Sequence, residues 1–202
     1  PEKLDDAFCA ELRAHGPATF LGVAYGKIIP DAVLDLSELP AINVHPSLLP
    51  DLRGPSPIQT ALLRGYTQTG ITLMQLDTEM DHGPLIAQKK VIIVPDDTYA
   101  TLSEKLSFMA PQFLMKQVPR YLAGACEAYV QDHTRATYSK MIKATDGTLD
   151  VSEDADILLR KIKALNPWPG TWLAVGGKRL KILTASVSPK KIEQNFIKTP
   201  SG

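Results

Sequence analysis

The chain has little with which to cross-link itself. Its 202 residues include two cysteines, Cys9 and Cys126, too few and too far apart for a disulfide framework or a paired metal motif. Lone cysteines of this kind default to buried thiols in a reducing compartment, and the expectation is a cytoplasmic protein. No apolar run approaches the roughly 18 residues a membrane span needs. The first residues, Pro1-Glu2-Lys3-Leu4-Asp5-Asp6, are acidic where a targeting segment is basic and then apolar. Net charge is also missing, since 22 Lys and Arg balance 22 Asp and Glu, so the whole chain gives no sign of a nucleic-acid or membrane partner. There is no Gly-rich phosphate cradle followed by Lys, no GxGxxG turn, no His-x-x-x-His pair and no GxSxG elbow. Nucleotide, zinc and serine-hydrolase chemistry therefore have no motif behind them.

What is present is 44% hydrophobic and 22% charged, the composition of a soluble globular chain with one full core and part of a second. The charge balance hides an asymmetry: residues 1–135 hold 11 basic and 16 acidic side chains, residues 136–202 hold 11 and 6. A basic C-terminal third attracts a polyanion such as a phosphate backbone. A lysine-decorated, solvated surface explains it equally well.

Apolar periodicity predicts alternating helices and strands. Leu4, Phe8 and Leu12 lie on one face of a helix over Glu2–His15 that stops at Gly16-Pro17. Phe20–Ala24 reads as a short strand buried on both faces, Asp31–Leu34 as a helix and Ala41–His45 as a second strand. Pro57–Arg64 is a helix with Pro at its start, Ile71–Leu76 a strand, Asp77–Gly83 a loop and Leu85–Val94 a strand. Asp97-Thr98 caps a helix over Tyr99–Leu122 that Pro111 and Pro119 should kink or split. The layout is α/β, an open, mostly parallel sheet with flanking helices. Beyond Gly124 the chain turns polar. Ser152 is expected to cap a helix carrying Ile157, Leu158, Ile162 and Leu165, and Gly176-Gly177 to turn a hairpin between Trp172–Val175 and Arg179–Leu183. The tail Ser188–Gly202 carries Lys190, Lys191 and Lys198. The expected organisation is an α/β unit over 1–135, a linker and helix over 136–170, and the start of a β domain over 171–202.

Asn43 and His45 are two apart on a predicted strand, so both side chains share one face at its C-terminal end, where open α/β sheets bind ligands. An amide beside an imidazole can hold a carbonyl oxygen as it becomes an oxyanion and move a proton to or from a nitrogen. On spacing alone, a polar pair that ties down the next loop is the better account. Asp81 follows the third strand on the same rim, where a carboxylate can orient His45 and raise its pKa. Its neighbour His82 reads as a solvated loop histidine. His15 suits a helix C-terminus, and nothing marks His133. Ser47-Leu48-Leu49-Pro50 places two leucines in a loop, to be covered either by the core or by a flat ligand.

The string Asn43-Val44-His45-Pro46-Ser47-Leu48-Leu49-Pro50, with Arg53-Gly54 and Pro57-Ile58-Gln59 after it, resembles the 10-formyltetrahydrofolate-dependent formyltransferases. Val23-Ala24-Tyr25-Gly26, Ile29-Pro30, Gly70-Ile71-Thr72 and Asn166-Pro167-Trp168-Pro169 resemble the methionyl-tRNA branch of that family, and the likeness runs from about residue 2 to 187. It implies a Rossmann-like catalytic sheet and a catalytic trio at Asn43, His45 and Asp81. It further implies folate contacts at Ser47, Leu48, Leu49 and Pro50, with the segments around Tyr25 and Asp77–Asp81 completing the pocket.

The implied reaction moves a formyl group from N10 of 10-formyltetrahydrofolate to the α-amine of initiator methionyl-tRNA. In it Asp81 removes the amine proton through His45 or a water, Asn43 and His45 hold the oxyanion, and His45 protonates N10. No metal is required, and a monomer is expected. The family's chains begin several dozen residues earlier and end in an OB-like β-barrel, so this chain is expected to lack the first strands, to expose apolar sheet surface and to hold only the barrel's opening hairpin. The alternatives are a formyltransferase acting on a UDP-amino-sugar, a glycinamide ribonucleotide enzyme or a folate deformylase. A further alternative is a non-catalytic folate- or RNA-binding fragment. The Asn166–Gly170 string argues most clearly against the glycinamide enzyme.

Overall fold

A computed structural model describes residues 3–16, 19–26 and 29–188. Helix α1 (Asp6–Ala14) opens where the Asp5 carboxylate accepts the Phe8 N–H. There follow β1 (Leu21–Val23), α2 (Asp31–Leu34), β2 (Ile42–His45), α3 (Pro57–Leu63), β3 (Gln68–Gln75), β4 (Leu85–Ile92), α4 (Tyr99–Leu122), α5 (Ala155–Leu165), β5 (Thr171–Val175) and β6 (Lys178–Ile182). Short 3-10 turns at His133–Arg135 and Ala144–Gly147 punctuate the run between α4 and α5. Glu2, at the start of the predicted first helix, and Lys190, Lys191 and Lys198 of the tail lie outside the described residues. Among the described residues no helix is long and apolar enough to cross a membrane.

The sheet order is β1-β2-β3-β4. The β1–α2–β2 unit is parallel, whereas β3 runs antiparallel to both β2 and β4. The sheet is open and flanked by helices as expected, but mixed rather than mostly parallel. The β3–β4 connection shows why: Leu76–Pro84 contains no helix and is too short for the crossover that a parallel pair needs. β3 is buried along nearly its whole length, and β1, expected to be buried on both faces, leaves Leu21 at 48% and Val23 at 56% exposure. It is the edge of the described sheet, with a partner on one side only.

One sheet face carries the core. Ile42, Val44, Ile71 and Leu73 pack with Ala61 and Leu62 of α3, Leu102, Leu106 and Phe113 of α4, and Ala164 and Leu165 of α5. The Thr98–Thr101 capping box starts α4, which runs unbroken through Pro111 and Pro119 for 24 residues. Each proline removes one helical hydrogen bond. The carbonyls they orphan belong to Ser107 and Met115, both exposed residues on the side open to water, and the buried face keeps the helix whole. α5 is capped by Asp154, whose carboxylate accepts the Asp156 N–H at 2.8 Å, rather than by Ser152. Ser152 is taken up by Asp150, which accepts both its N–H and its hydroxyl. The hairpin β5–β6 turns at Gly176-Gly177, both at positive φ, as a two-residue primed turn requires.

Candidate functional site

The other sheet face is polar at its β2 end. Asn43 and His45 project there beside their cross-strand neighbours Met74 and Thr72, with Gln88 of β4 opposite Thr72. The loop after β2 folds back over this face and is hydrogen-bonded to it. The Thr72 hydroxyl donates to the Ser47 carbonyl at 2.7 Å and accepts the Leu49 N–H at 3.2 Å. Gln88 Nε2 donates to the Leu49 carbonyl and to Thr72 Oγ1. Leu49 then buries itself against Met74 and Leu85, a small second core, and the Leu49-Pro50 bond is cis.

Of the four loop positions expected to meet a ligand, Ser47 and Leu49 are therefore buried in the loop's own packing, Ser47 Oγ donating to the Asp51 carbonyl at 2.5 Å. Leu48 and Pro50 remain half-buried. Two cavities of about 380 and 340 Å³ are lined by residues other than these four and the trio.

Beyond Pro50 the chain takes an unusual backbone path, with Leu52 at φ 59° and Gly54 at φ 101°. At Gly54 a Cβ would also lie 2.7 Å from the Ser139 carbonyl, so the position admits glycine alone. This path brings the Leu52 carbonyl to His45 Nε2 at 2.9 Å. A carbonyl only accepts, so Nε2 carries the ring hydrogen. Nδ1 then faces Asp81 Oδ1 at 3.4 Å, while Asp81 Oδ2 accepts the Gly54 N–H at 2.7 Å. His45 is 4% exposed. Burial pushes its pKa below the ordinary 6.5, against the opposing pull of the Asp81 charge and the Leu52 hydrogen bond, so at neutral pH the imidazole is uncharged.

Asn43 completes the group. Its carboxamide is half-buried and has no hydrogen bond among the described residues. Gly22 of β1 leaves it room, since a Cβ there would sit 3.2 Å from Asn43 Oδ1. The structure thus places Asn43 and His45 on one strand end and sets Asp81 against His45.

A layer behind this group escaped sequence reasoning. Arg53, 2% exposed, donates to Gln131 Oε1 through Nε and Nη2 and to His133 Nδ1 through Nη2 at 2.8 Å. His133 stacks on His82 with ring centroids 4.0 Å apart, and His82 Nδ1 donates to Asp77 at 2.7 Å. His82 is thus a packed, paired side chain rather than a freely solvated one, and His133, which nothing in the sequence marks, is its partner. Their only local trace is the polar run Gln131-Asp132-His133. Among the described residues no group of three or more His, Cys, Asp or Glu is placed to hold a metal ion.

A sequence model of the family described as "Formyl transferase" matches residues 1–118, and one described as "Formyl transferase, C-terminal domain" matches residues 141–200. The chain belongs to the formyl transferase family. A relative within it, methionyl-tRNA formyltransferase of Chloroflexus aggregans, is 40% identical over 190 residues, covering 94% of this chain and 62% of its own. The chain thus spans about three-fifths of that relative's length. Methionyl-tRNA formyltransferase from Clostridium thermocellum has the same fold, with a TM-score of 0.73 at 21% identity over 94% of this chain and 81% of its own. HypX from Aquifex aeolicus, solved in complex with tetrahydrofolic acid, superposes with a TM-score of 0.72 at 21% identity, covering 85% of this chain and 29% of HypX.

Proposed function

We propose that this protein transfers a formyl group from 10-formyltetrahydrofolate to the α-amine of initiator methionyl-tRNA in the cytoplasm. The observation that carries the reading is the Asn43, His45 and Asp81 group at the end of β2, a donor and a proton-accepting pair suited to attack on a carbonyl carbon. The 40% identity to a methionyl-tRNA formyltransferase supports the acceptor, and the tetrahydrofolic acid complex of HypX supports a folate-type co-substrate.

The folate supplies the formyl carbon, carried on N10. The Asn43 amide, with its hydrogens uncommitted among the described residues, donates to the formyl oxygen as charge grows on it. A protonated amine cannot attack, so its extra proton leaves first, to solvent, and a second leaves the nitrogen as it bonds to the formyl carbon. Asp81 and His45 accept that second proton together: Nε2 already gives its hydrogen to Leu52, and the Nδ1 lone pair faces the carboxylate with room for one shared proton. Burial, by keeping the imidazole neutral, keeps that place open. The pair returns the proton to N10 as the bond from N10 to the formyl carbon breaks, leaving formamide and tetrahydrofolate. Leu48 and Pro50 offer the loop's partly exposed surface to the folate, and Ser47 and Leu49 hold that loop in shape. In this organisation residues 1–135 carry the transfer, 136–170 link, and 171–202 open a β domain whose basic surface, including Arg179 stacked on Trp172 at 4.2 Å, faces the tRNA.

Formylation of methionyl-initiator-tRNA with 10-formyltetrahydrofolate, run beside His45→Ala and beside a UDP-amino-sugar acceptor, tests the reading. Activity on the tRNA that His45→Ala abolishes is expected. Activity on the sugar alone overturns the acceptor, and folate binding without transfer to either overturns the enzyme.

A further inference from the structure

Asp81 sits at φ 51°, a left-handed backbone conformation uncommon outside glycine that aspartate tolerates better than most side chains. From there its carboxylate meets both His45 and the Gly54 N–H. The turn is hydrogen-bonded from behind by Gln131. This residue is 4% exposed, and its amide is spent in full: Nε2 donates to the Asp81 carbonyl at 2.9 Å and to the Gly83 carbonyl at 2.8 Å, while Oε1 accepts Arg53 Nη2 at 2.7 Å and Nε at 3.2 Å. The orientation is forced from both sides, since guanidinium only donates and carbonyls only accept. One buried amide thus fastens the two ends of the Asp81–Gly83 turn to the loop that carries Leu52 and Gly54, which are themselves the other partners of His45 and Asp81.

We propose that Gln131 is a positioning residue for formyl transfer, setting the Asp81 carboxylate on His45 by clamping the Asp81–Gly83 turn to Arg53. The kinetic part rests on the reaction proposed above; the geometric part does not. The mundane role for Gln131 is to be the partner that a buried guanidinium requires, and a pair of variants separates the two. Gln131→Glu keeps an acceptor for Arg53 but sets a carboxylate against the Asp81 and Gly83 carbonyls, releasing the turn. Gln131→Met, of similar volume, removes every hydrogen bond.

Both are made in the full chain, checked for folding by thermal melting, and read in two ways. Steady-state formylation is expected to lose roughly 10- to 100-fold in kcat in each, with KM for both substrates within about threefold of wild type. NMR titration of the His45 imidazole is expected to show a lower midpoint in Gln131→Met, displaced to the same side as in Asp81→Asn, because the carboxylate that holds it up has moved away. Wild-type kcat in Gln131→Glu overturns the proposal, as does a wild-type His45 midpoint in folded Gln131→Met. Should Gln131→Met fail to fold, Gln131→Glu alone decides. The titration needs no substrate, so absence of formyl transfer in the wild type would overturn the reaction while the His45 midpoint still judges the clamp.

Discussion

The two faces of the sheet are made by the same strands in opposite ways. On β2, Ile42 and Val44 join a core of apolar side chains from three helices, while Asn43 and His45, one residue out of phase, face a loop held largely by hydrogen bonds. On β3, Ile71 and Leu73 face the helices, and Thr72 ties down the loop through two hydrogen bonds and accepts a third from Gln88 of β4. Non-directional burial gives the helix face its stability. The loop face has few apolar contacts and depends on direction, which is what placing a carboxylate against an imidazole requires.

If stability and chemistry are divided between the faces in this way, substitutions should separate them. The largest effect is expected at Leu73, fully buried on the helix side. Leu73→Ala should cost about 2–5 kcal/mol of unfolding free energy while leaving kcat per folded molecule unchanged, measured by urea denaturation beside activity. Asn43→Ala should do the reverse. Its amide supports nothing in the described fold, so stability should stay within about 0.5 kcal/mol while kcat falls roughly 10²- to 10³-fold. Thr72→Val tests the boundary. It leaves the Ser47 carbonyl, the Leu49 N–H and Gln88 in search of partners, at a cost of about 1–2 kcal/mol, and by loosening the loop it should raise KM for the folate.

The smallest effect is a pH dependence. In the unfolded chain the His45 imidazole takes up a proton near its ordinary 6.5, whereas the folded chain holds it neutral to lower pH. Protons therefore favour unfolding, and stability present above about pH 6.5 should decline as the pH falls. His45→Gln should flatten that part of the stability profile.

The sequence carries one of these faces more openly than the other. Alternation places Ile42 and Val44 opposite Asn43 and His45, and the loop position of Asp81 follows from where β3 ends. The helix boundaries are nearly as readable, with local competition as the source of error. Asp150, Ser152 and Asp154 are all good capping residues, and only the packing of α5 selects Asp154. Nor does the pattern disclose that exposed Ser107 and Met115 let α4 pass through two prolines. The layer behind the site is harder to read for a different reason. Gln131 and His133 reach Arg53 across 78 and 80 residues, and no local periodicity encodes such a meeting. Burial of Arg53 itself runs against its residue type.

Those long spans give the site a place in time as well as in space. Leu52 is tied to Thr137, Ser56 to Ser139 and Arg53 to Gln131, each across roughly eighty residues of chain, while α3, β3, β4 and α4 follow one another closely. Closing so large a loop carries an entropic cost that nearer contacts do not. The segment from α3 to α4 is therefore expected to assemble before residues 131–139 reach the Arg53 loop, and the turn bearing Asp81 to be set when they do. On the way back out the order reverses. Transient release of residues 131–139 from the Arg53 loop undoes the proton-accepting pair while the core stays closed, so on gentle warming the activity should be lost before the fold.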